Sequence, residues 1–205
     1  MIIAIDTETG GLDENTDALL SISACQYENP ENAFTVFIDP DPSLKVHEEA
    51  AKVNGYTPEL WKKRGAVPLL EAMRLFKRWL PPSGNSPLAH NASFDKKFIE
   101  AAERQTKFKL YLPYHWQCSM VAFFLANKIF DFGAPNFRLE TLARMAGHWG
   151  EGFVRGDHQS SDDVLACVAG YKWIVQQGLD LRRQIERLTM ENNRLREKIA
   201  NVAPF

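Results

Sequence analysis

The stretch Ile2-Ile3-Ala4-Ile5-Asp6-Thr7-Glu8 sets an apolar run of β-forming residues directly against two acids. Four apolar residues at this density read as a buried strand. Strand alternation then puts Asp6 and Glu8 on the same face as Ile2 and Ala4, so two carboxylates project together from the end of an otherwise buried element. Burying such a pair is costly unless a cation or hydrogen bonds neutralise it. The alternative is that the strand ends there, both side chains reach water, and Thr9-Gly10-Gly11 is an ordinary turn.

Working outward, residues 18–27 and 33–38 read as two more strands, separated by turns rich in Asp, Glu, Asn and Pro. Three consecutive strands with short links predict an antiparallel meander. Helical patterns follow at residues 47–54, at a short segment with Thr57 as N-cap and Pro58 at the first helical position, and at residues 68–80 before Pro81-Pro82. Residues 86–90 read as a short strand feeding a helix over 94–104. Further helices are expected at 119–128, 139–147 and 161–177. Strands first, then alternating strands and helices, imply an α/β domain with a mixed sheet.

The 205-residue length and 45% hydrophobic content fit one globular domain of about 177 residues with a further segment, 178–205. The longest later apolar run, residues 120–126, is far short of the roughly 18 needed to span a bilayer, and the start lacks a basic leader. The expectation is a soluble cytoplasmic protein with no membrane association. Cys25, Cys118 and Cys167 are widely spaced and form no Cys-x-x-Cys pair, which excludes a disulfide framework and a zinc knuckle. A net charge of −2 excludes a generally basic nucleic-acid coat, but leaves room for phosphate binding through metal ions.

Two other clusters carry acids. His90-Asn91-Ala92-Ser93-Phe94-Asp95 follows the short strand and opens a helix, where Asn91 or Ser93 could cap and Asp95 could sit in the first turn. Gly156-Asp157-His158-Gln159-Ser160-Ser161-Asp162-Asp163 precedes an apolar segment, and Ser160 with Asp163 has the spacing of a capping box. Capping explains each cluster singly. Taken jointly, three acidic clusters at strand ends and helix starts are placed where an α/β sheet assembles a site at its rim. Asp6, Glu8, Asp95 and Asp163 converging there would call for hard cations, two Mg²⁺ or Mn²⁺ ions, and His158 could take a proton from an attacking water.

The segments "DTETGGL" (residues 6–12) and "HNASFD" (residues 90–95), with His158 five residues before Asp163, resemble in order the three motifs of the DEDDh exonucleases. This is the DnaQ-like group that includes the proofreading epsilon subunit of bacterial replicative polymerase. "VNGYT" (53–57) and "FRLETL" (137–142) are similar to that family's linking signatures. Over residues 1–177 the resemblance implies a ribonuclease-H-like fold and 3′→5′ hydrolysis that releases nucleoside monophosphates. It implies Asp6, Glu8, Asp95 and Asp163 as metal ligands and His158 as general base. Thr7, Thr9 and Leu12 fall among the substrate-binding positions, Thr9 near the 3′-hydroxyl and Leu12 against the last base, while His90 and Asn91 would shape the site. The substrate implied is nucleic acid with a 3′ end, single-stranded DNA favoured over RNA, and an end-binding or tethering module is the non-catalytic alternative. Gly10 replaces a frequent Thr, which is expected to loosen the turn. Ser160 stands where many members have Ala, a change with no evident chemical cost.

The tail departs from the domain pattern. Leu181, Ile185, Leu188, Asn192, Leu195, Ile199 and Val202 recur at alternating spacings of four and three, with Ile, Asn and Ile at a and Leu or Val at d. That combination favours two-stranded parallel coiled coils, and Glu191 at g would meet Arg196 at e of the other helix. A homodimer through residues 181–202 is expected. A helix folded back on its own domain, or a tether to replication or repair machinery, are the alternatives.

Overall fold

The computed structural model describes residues 1–150 and 160–202, with side chains as far as residue 199. The opening stretch is β1 (Ile2–Thr9), and its alternation divides the protein. Ile3 and Ile5 join one core with Met73, Phe76 and Phe98, whereas Ala4 joins another with Leu88, Val164 and Cys167. β1 is thus covered on both faces, which is why it is apolar without interruption up to Asp6.

β2 (Leu19–Gln26) and β3 (Ala33–Asp39) complete the expected antiparallel meander. α1 (Glu48–Asn54) and α2 (Pro58–Lys63) follow, and the Thr57 hydroxyl accepts from the Leu60 N–H as the N-cap reading requires. The rest of the chain comprises β4 (Val67–Pro68), α3 (Leu69–Trp79), β5 (Ser86–Ala89), α4 (Ala92–Thr106), β6 (Gln117–Cys118), α5 (Ser119–Phe130), α6 (Leu139–Met145) and α7 (Ser160–Val202). The sheet order is β4-β3-β2-β1-β5-β6, with β4, β5 and β6 each parallel to a neighbour. β4 and β6 escaped the sequence reading because two residues carry no periodicity.

α7 is longer than the helix expected at 161–177 and bears on the fold-back alternative for the tail. A single 43-residue helix runs through residue 177 without a break, so the tail is an extension of the helix that packs on the sheet. At about 1.5 Å per residue it is roughly 65 Å long. Its early turns are buried at Val164, Ala166, Cys167 and Val168, whereas Ile185, Leu188, Leu195 and Ile199 are each more than half exposed. The tail therefore projects from the domain and does not fold back on it. Gly170 sits where α7 crosses α6, and a Cβ there would strike the Leu142 side chain.

Candidate active site

β1 and β2 lie side by side with Asp6 opposite Ser23 and Glu8 opposite Ser21. The Ser160 hydroxyl, at the first turn of α7, meets both serines, at 3.0 Å from Ser21 Oγ and 2.8 Å from Ser23 Oγ. Ser23 Oγ also lies 2.8 Å from Thr35 Oγ1. This buried hydroxyl row seats the start of α7 directly over the cross-strand neighbours of the two acids. One helical turn on, Asp163 falls on the same helix face as Ser160. Carboxylate oxygens of Asp6, Glu8 and Asp163 accordingly all lie within 4.8 Å of one another. Ser160 thus has a job that the sequence did not reveal: its hydroxyl docks the helix on the sheet. The adjacent aspartates are unequal, because Asp163 is buried and Asp162 is exposed.

Asp95 reaches β1 from the first turn of α4. Thr7 lies between Asp6 and Glu8 but points across the pleat toward α4. Its backbone N–H and its hydroxyl both donate to Asp95 Oδ1, at 3.0 and 2.9 Å. Asp95 is 2% exposed, and burial pushes its carboxyl up to about 7 against the lowering effect of the Thr7 hydrogen bonds. Asp95 is not one of that trio; Thr7 ties it to β1, and Asp6 and Asp95 both act electrostatically on the buried Cys167 thiol of α7.

The second cluster takes the expected positions, with Asn91 at the N-cap of α4 and Asp95 in its first turn, but without a side-chain capping bond. Asn91 lies in the left-handed region at φ 69°. Its Oδ1 accepts instead from the Ser93 hydroxyl at 3.3 Å. His90 is a bracket: Nε2 donates to the Phe137 carbonyl at 3.0 Å, and Nδ1 is left to accept from the Ser119 hydroxyl at 2.9 Å. Burial lowers its pKa to about 4, so the ring is neutral. His90 and Asn91 border a depression of about 620 Å³ with Met120 and Phe137.

The main cleft, about 840 Å³, is lined by Glu8, Thr9, Leu12, His47, Val53 and Phe94 among others. Leu12 is 77% exposed at its edge. The Thr9 hydroxyl donates to the Gly11 carbonyl at 2.7 Å, and the pairing of β1 with β2 shifts register between Glu8 and Thr9. A break in the ladder at that point re-aims the end of the strand. Gly10 does not loosen the turn. Its N–H donates to Ala18 and its carbonyl accepts from His47, each at 2.7 Å, and a Cβ would strike the Lys45 carbonyl. Close backbone approach, not flexibility, is what demands glycine there.

Two supports were missed from sequence. Buried Asn54 donates through Nδ2 to the Thr9 carbonyl at 3.1 Å and accepts from the Tyr56 N–H at 3.0 Å, tying the end of α1 to the end of β1. Buried Asp17 accepts from the Asp13 N–H and from His47 Nε2, closing the loop beneath the cleft. The Asn54-Gly55 pair, with Gly55 at φ 68°, was the available signal for the first. Asp17 had none for its link to the cleft wall, because that partner, His47, is 30 residues away. His158 and Asp157 lie outside the described residues.

A model of the exonuclease family matches residues 3–171. The chain belongs to the exonuclease family. Its curated relatives in that family include ribonuclease T of Vibrio campbellii, 32% identical over 55% of this chain and 59% of the relative. Ribonuclease T of Vibrio vulnificus is 33% identical, over 55% and 58%. The match thus spans less than two thirds of these relatives. Among solved structures, the zinc-bound E. coli exonuclease I complex with single-stranded DNA superposes with TM-score 0.70 at 16% identity, covering 91% of this chain and 42% of that one. The nuclease domain of 3′hExo, a DEDDh family member bound to rAMP, superposes with TM-score 0.63 at 14% identity, covering 86% and 92%. These likenesses establish the ribonuclease-H-like exonuclease fold. Among the described residues no helix is long and apolar enough to cross a membrane.

Proposed function

We propose that this protein is a metal-dependent 3′→5′ exonuclease that hydrolyses terminal phosphodiester bonds and releases nucleoside 5′-monophosphates. The observation that carries this reading is the carboxylate trio Asp6, Glu8 and Asp163 within 4.8 Å at the end of a strand bordering an open cleft. Like charges at that separation repel in a partly buried setting, and a hard divalent cation relieves the repulsion. The trio offers only oxygen donors, which suits Mg²⁺, with Mn²⁺ as substitute, better than a thiophilic metal. Asp6, Glu8 and Asp163 would hold the ions, with Asp95 supplying a fourth carboxylate from its Thr7 anchor. Two ions bound there would lower the pKa of a water and neutralise charge on the scissile phosphate.

The remaining work falls to the chain. Thr7 holds Asp95 in one orientation, and Asn54 and Gly10 hold the turn from which Leu12 projects. Leu12 at the cleft edge provides an apolar surface for the terminal base, and Phe94 lines the same cleft. His158 is assigned the proton from the attacking water. Single-stranded DNA is the favoured substrate, in keeping with the DNA complexes of exonuclease I, and RNA is the second, in keeping with the names of the ribonuclease T relatives.

A parallel homodimer through residues 181–202 is the second part of the proposal. Its support is the exposed seam of Ile185, Leu188, Leu195 and Ile199, with a polar Asn192 at a and opposite charges at Glu191 and Arg196. Degradation of 5′-labelled single-stranded DNA, duplex DNA and RNA with Mg²⁺ or Mn²⁺ tests the activity. Asp6→Asn and Asp163→Asn should each lower product formation on the order of 10³-fold, and full activity in either would defeat the assignment.

A further inference from the structure

The segment after α4 places two tyrosines in solvent while Leu110, Leu112 and Trp116 near them are held down. Leu110 is buried, its N–H donates to Glu103 Oε1 at 2.7 Å, and its carbonyl accepts from Lys77 Nζ at 2.6 Å. Leu112 and Trp116 pack partly buried against the core. Tyr111 and Tyr114, by contrast, are 81% and 76% exposed. Tyr111 sits at φ 61°, a backbone region that bulky side chains adopt only at some cost and that is over-represented at functional positions. Pro113 stiffens the link between the two. Large aromatic rings turned outward on an anchored, strained segment are unlike singly scattered surface apolar residues.

Each ring also carries a cation. Lys96 Nζ stands 3.7 Å from the Tyr114 ring centroid, and Lys77 Nζ stands 5.3 Å from that of Tyr111. Lys96 directly follows Asp95, and Phe94, two residues earlier, lines the main cleft. The patch therefore begins at the N-terminal turn of α4, beside the site, and runs down that helix. Tyr114 lies at the level of Lys96 and Tyr111 next to the Leu110 that Glu103 pins, a separation of about 10 Å along the axis at 1.5 Å per residue.

We propose that Tyr114 and Tyr111, with Lys96 and Lys77, form a subsite for the single strand 5′ of the nucleotide being removed. Successive bases stack on the two rings and the ammonium groups face the backbone phosphates, the combination by which proteins hold single strands without reading sequence. This inference rests on the exonuclease reading and adds the length of strand that the protein grips.

The test uses the full chain with Mg²⁺ on dT15 and dT3, and on rU15 and rU3, because stacking and phosphate contact are common to DNA and RNA. The Tyr111→Ala, Tyr114→Ala double variant should raise KM for the 15-mers by about 5-fold or more. Its kcat and its rates on the trimers should match the parent, and Tyr114→Phe should retain the parent KM. Lys96→Met should reduce the salt slope of dT15 binding, measured with EDTA, by about 0.7. An unchanged KM on both 15-mers, an equal loss on trimers, or an equal loss in Tyr114→Phe would overturn the subsite. If the parent cuts neither length, the exonuclease reading itself fails and the subsite falls with it. If the parent cuts trimers and the double variant is indistinguishable on every substrate, only the subsite falls.

Discussion

Asp95 Oδ1 receives two hydrogen bonds from one residue, the N–H and the hydroxyl of Thr7, which lies between the acids Asp6 and Glu8. Both bonds favour the ionised carboxylate, whereas burial opposes it and leaves the pKa near 7. Removing the hydroxyl in Thr7→Val should push that pKa higher and cost about 1.5–3 kcal/mol in metal-free protein where Asp95 is ionised. If ionised Asp95 is required for turnover, the acid limb of the pH–rate profile should move to higher pH. Thr7→Ser should restore it. The linkage has a definite sign: the folded pKa is raised, so this group's stabilising contribution is present below about pH 4 and lost as pH rises toward 7. Thermal melts of metal-free protein across that window check the trend, and divalent cation should raise the melting temperature at pH 7.5.

Asp162 and Asp163 differ by one position and should differ greatly in effect. Asp163→Asn should lower the rate on the order of 10³-fold and remove the thermal stabilisation by Mg²⁺, since it withdraws one of three converging carboxylates. Asp162→Asn should stay within about 2-fold, because an exposed first-turn acid contributes only to the helix dipole. Parallel kinetics and melts of the two variants decide the register of α7.

Ser160→Ala should cost about 1–3 kcal/mol, because Ser21 and Ser23 lose a buried partner under the first turn of α7. Denaturant titration measures the loss. A cost near zero would mean that the hydroxyl row does not seat the helix.

His90 should make stability depend on pH between about 4 and 6.5. Its folded pKa is lowered to about 4, so its contribution is present above 6.5 and declines as pH falls toward 4. The gap in stability between the parent and His90→Gln should narrow over that interval, as read by urea midpoints at several pH values.

Ending the chain at residue 177 should leave the nuclease domain folded and shift the solution mass from dimer to monomer, measured by light scattering. Asn192→Leu should raise the melting temperature of the dimer and loosen its choice of two strands, since a lone polar a residue costs stability and confers specificity. A monomeric full-length chain would point to a different partner for the tail.

The local content of the sequence was sufficient for β1, for the meander, for the Thr57 cap and for the helicity of the tail, because each is written in short-range spacing. Asp6 and Glu8 were legible as a pair for the same reason, as strand alternation makes i and i+2 neighbours. What the chain alone could not say was which long-range partner each acid meets. Asp95 meets Thr7, which the pleat of β1 turns toward α4, while Asp6 and Glu8 meet Asp163 of α7. Ser160 looked like a cap, and Gly10 like a loose turn, until Ser21, Ser23 and Lys45 were brought against them. Chemistry-bearing residues and their spacing are properties of the chain; the convergence of Asp163 on Asp6 and Glu8 depends on α7 docking across β1 and β2. That docking is a matter of packing between residues more than a hundred positions apart, which no local pattern encodes.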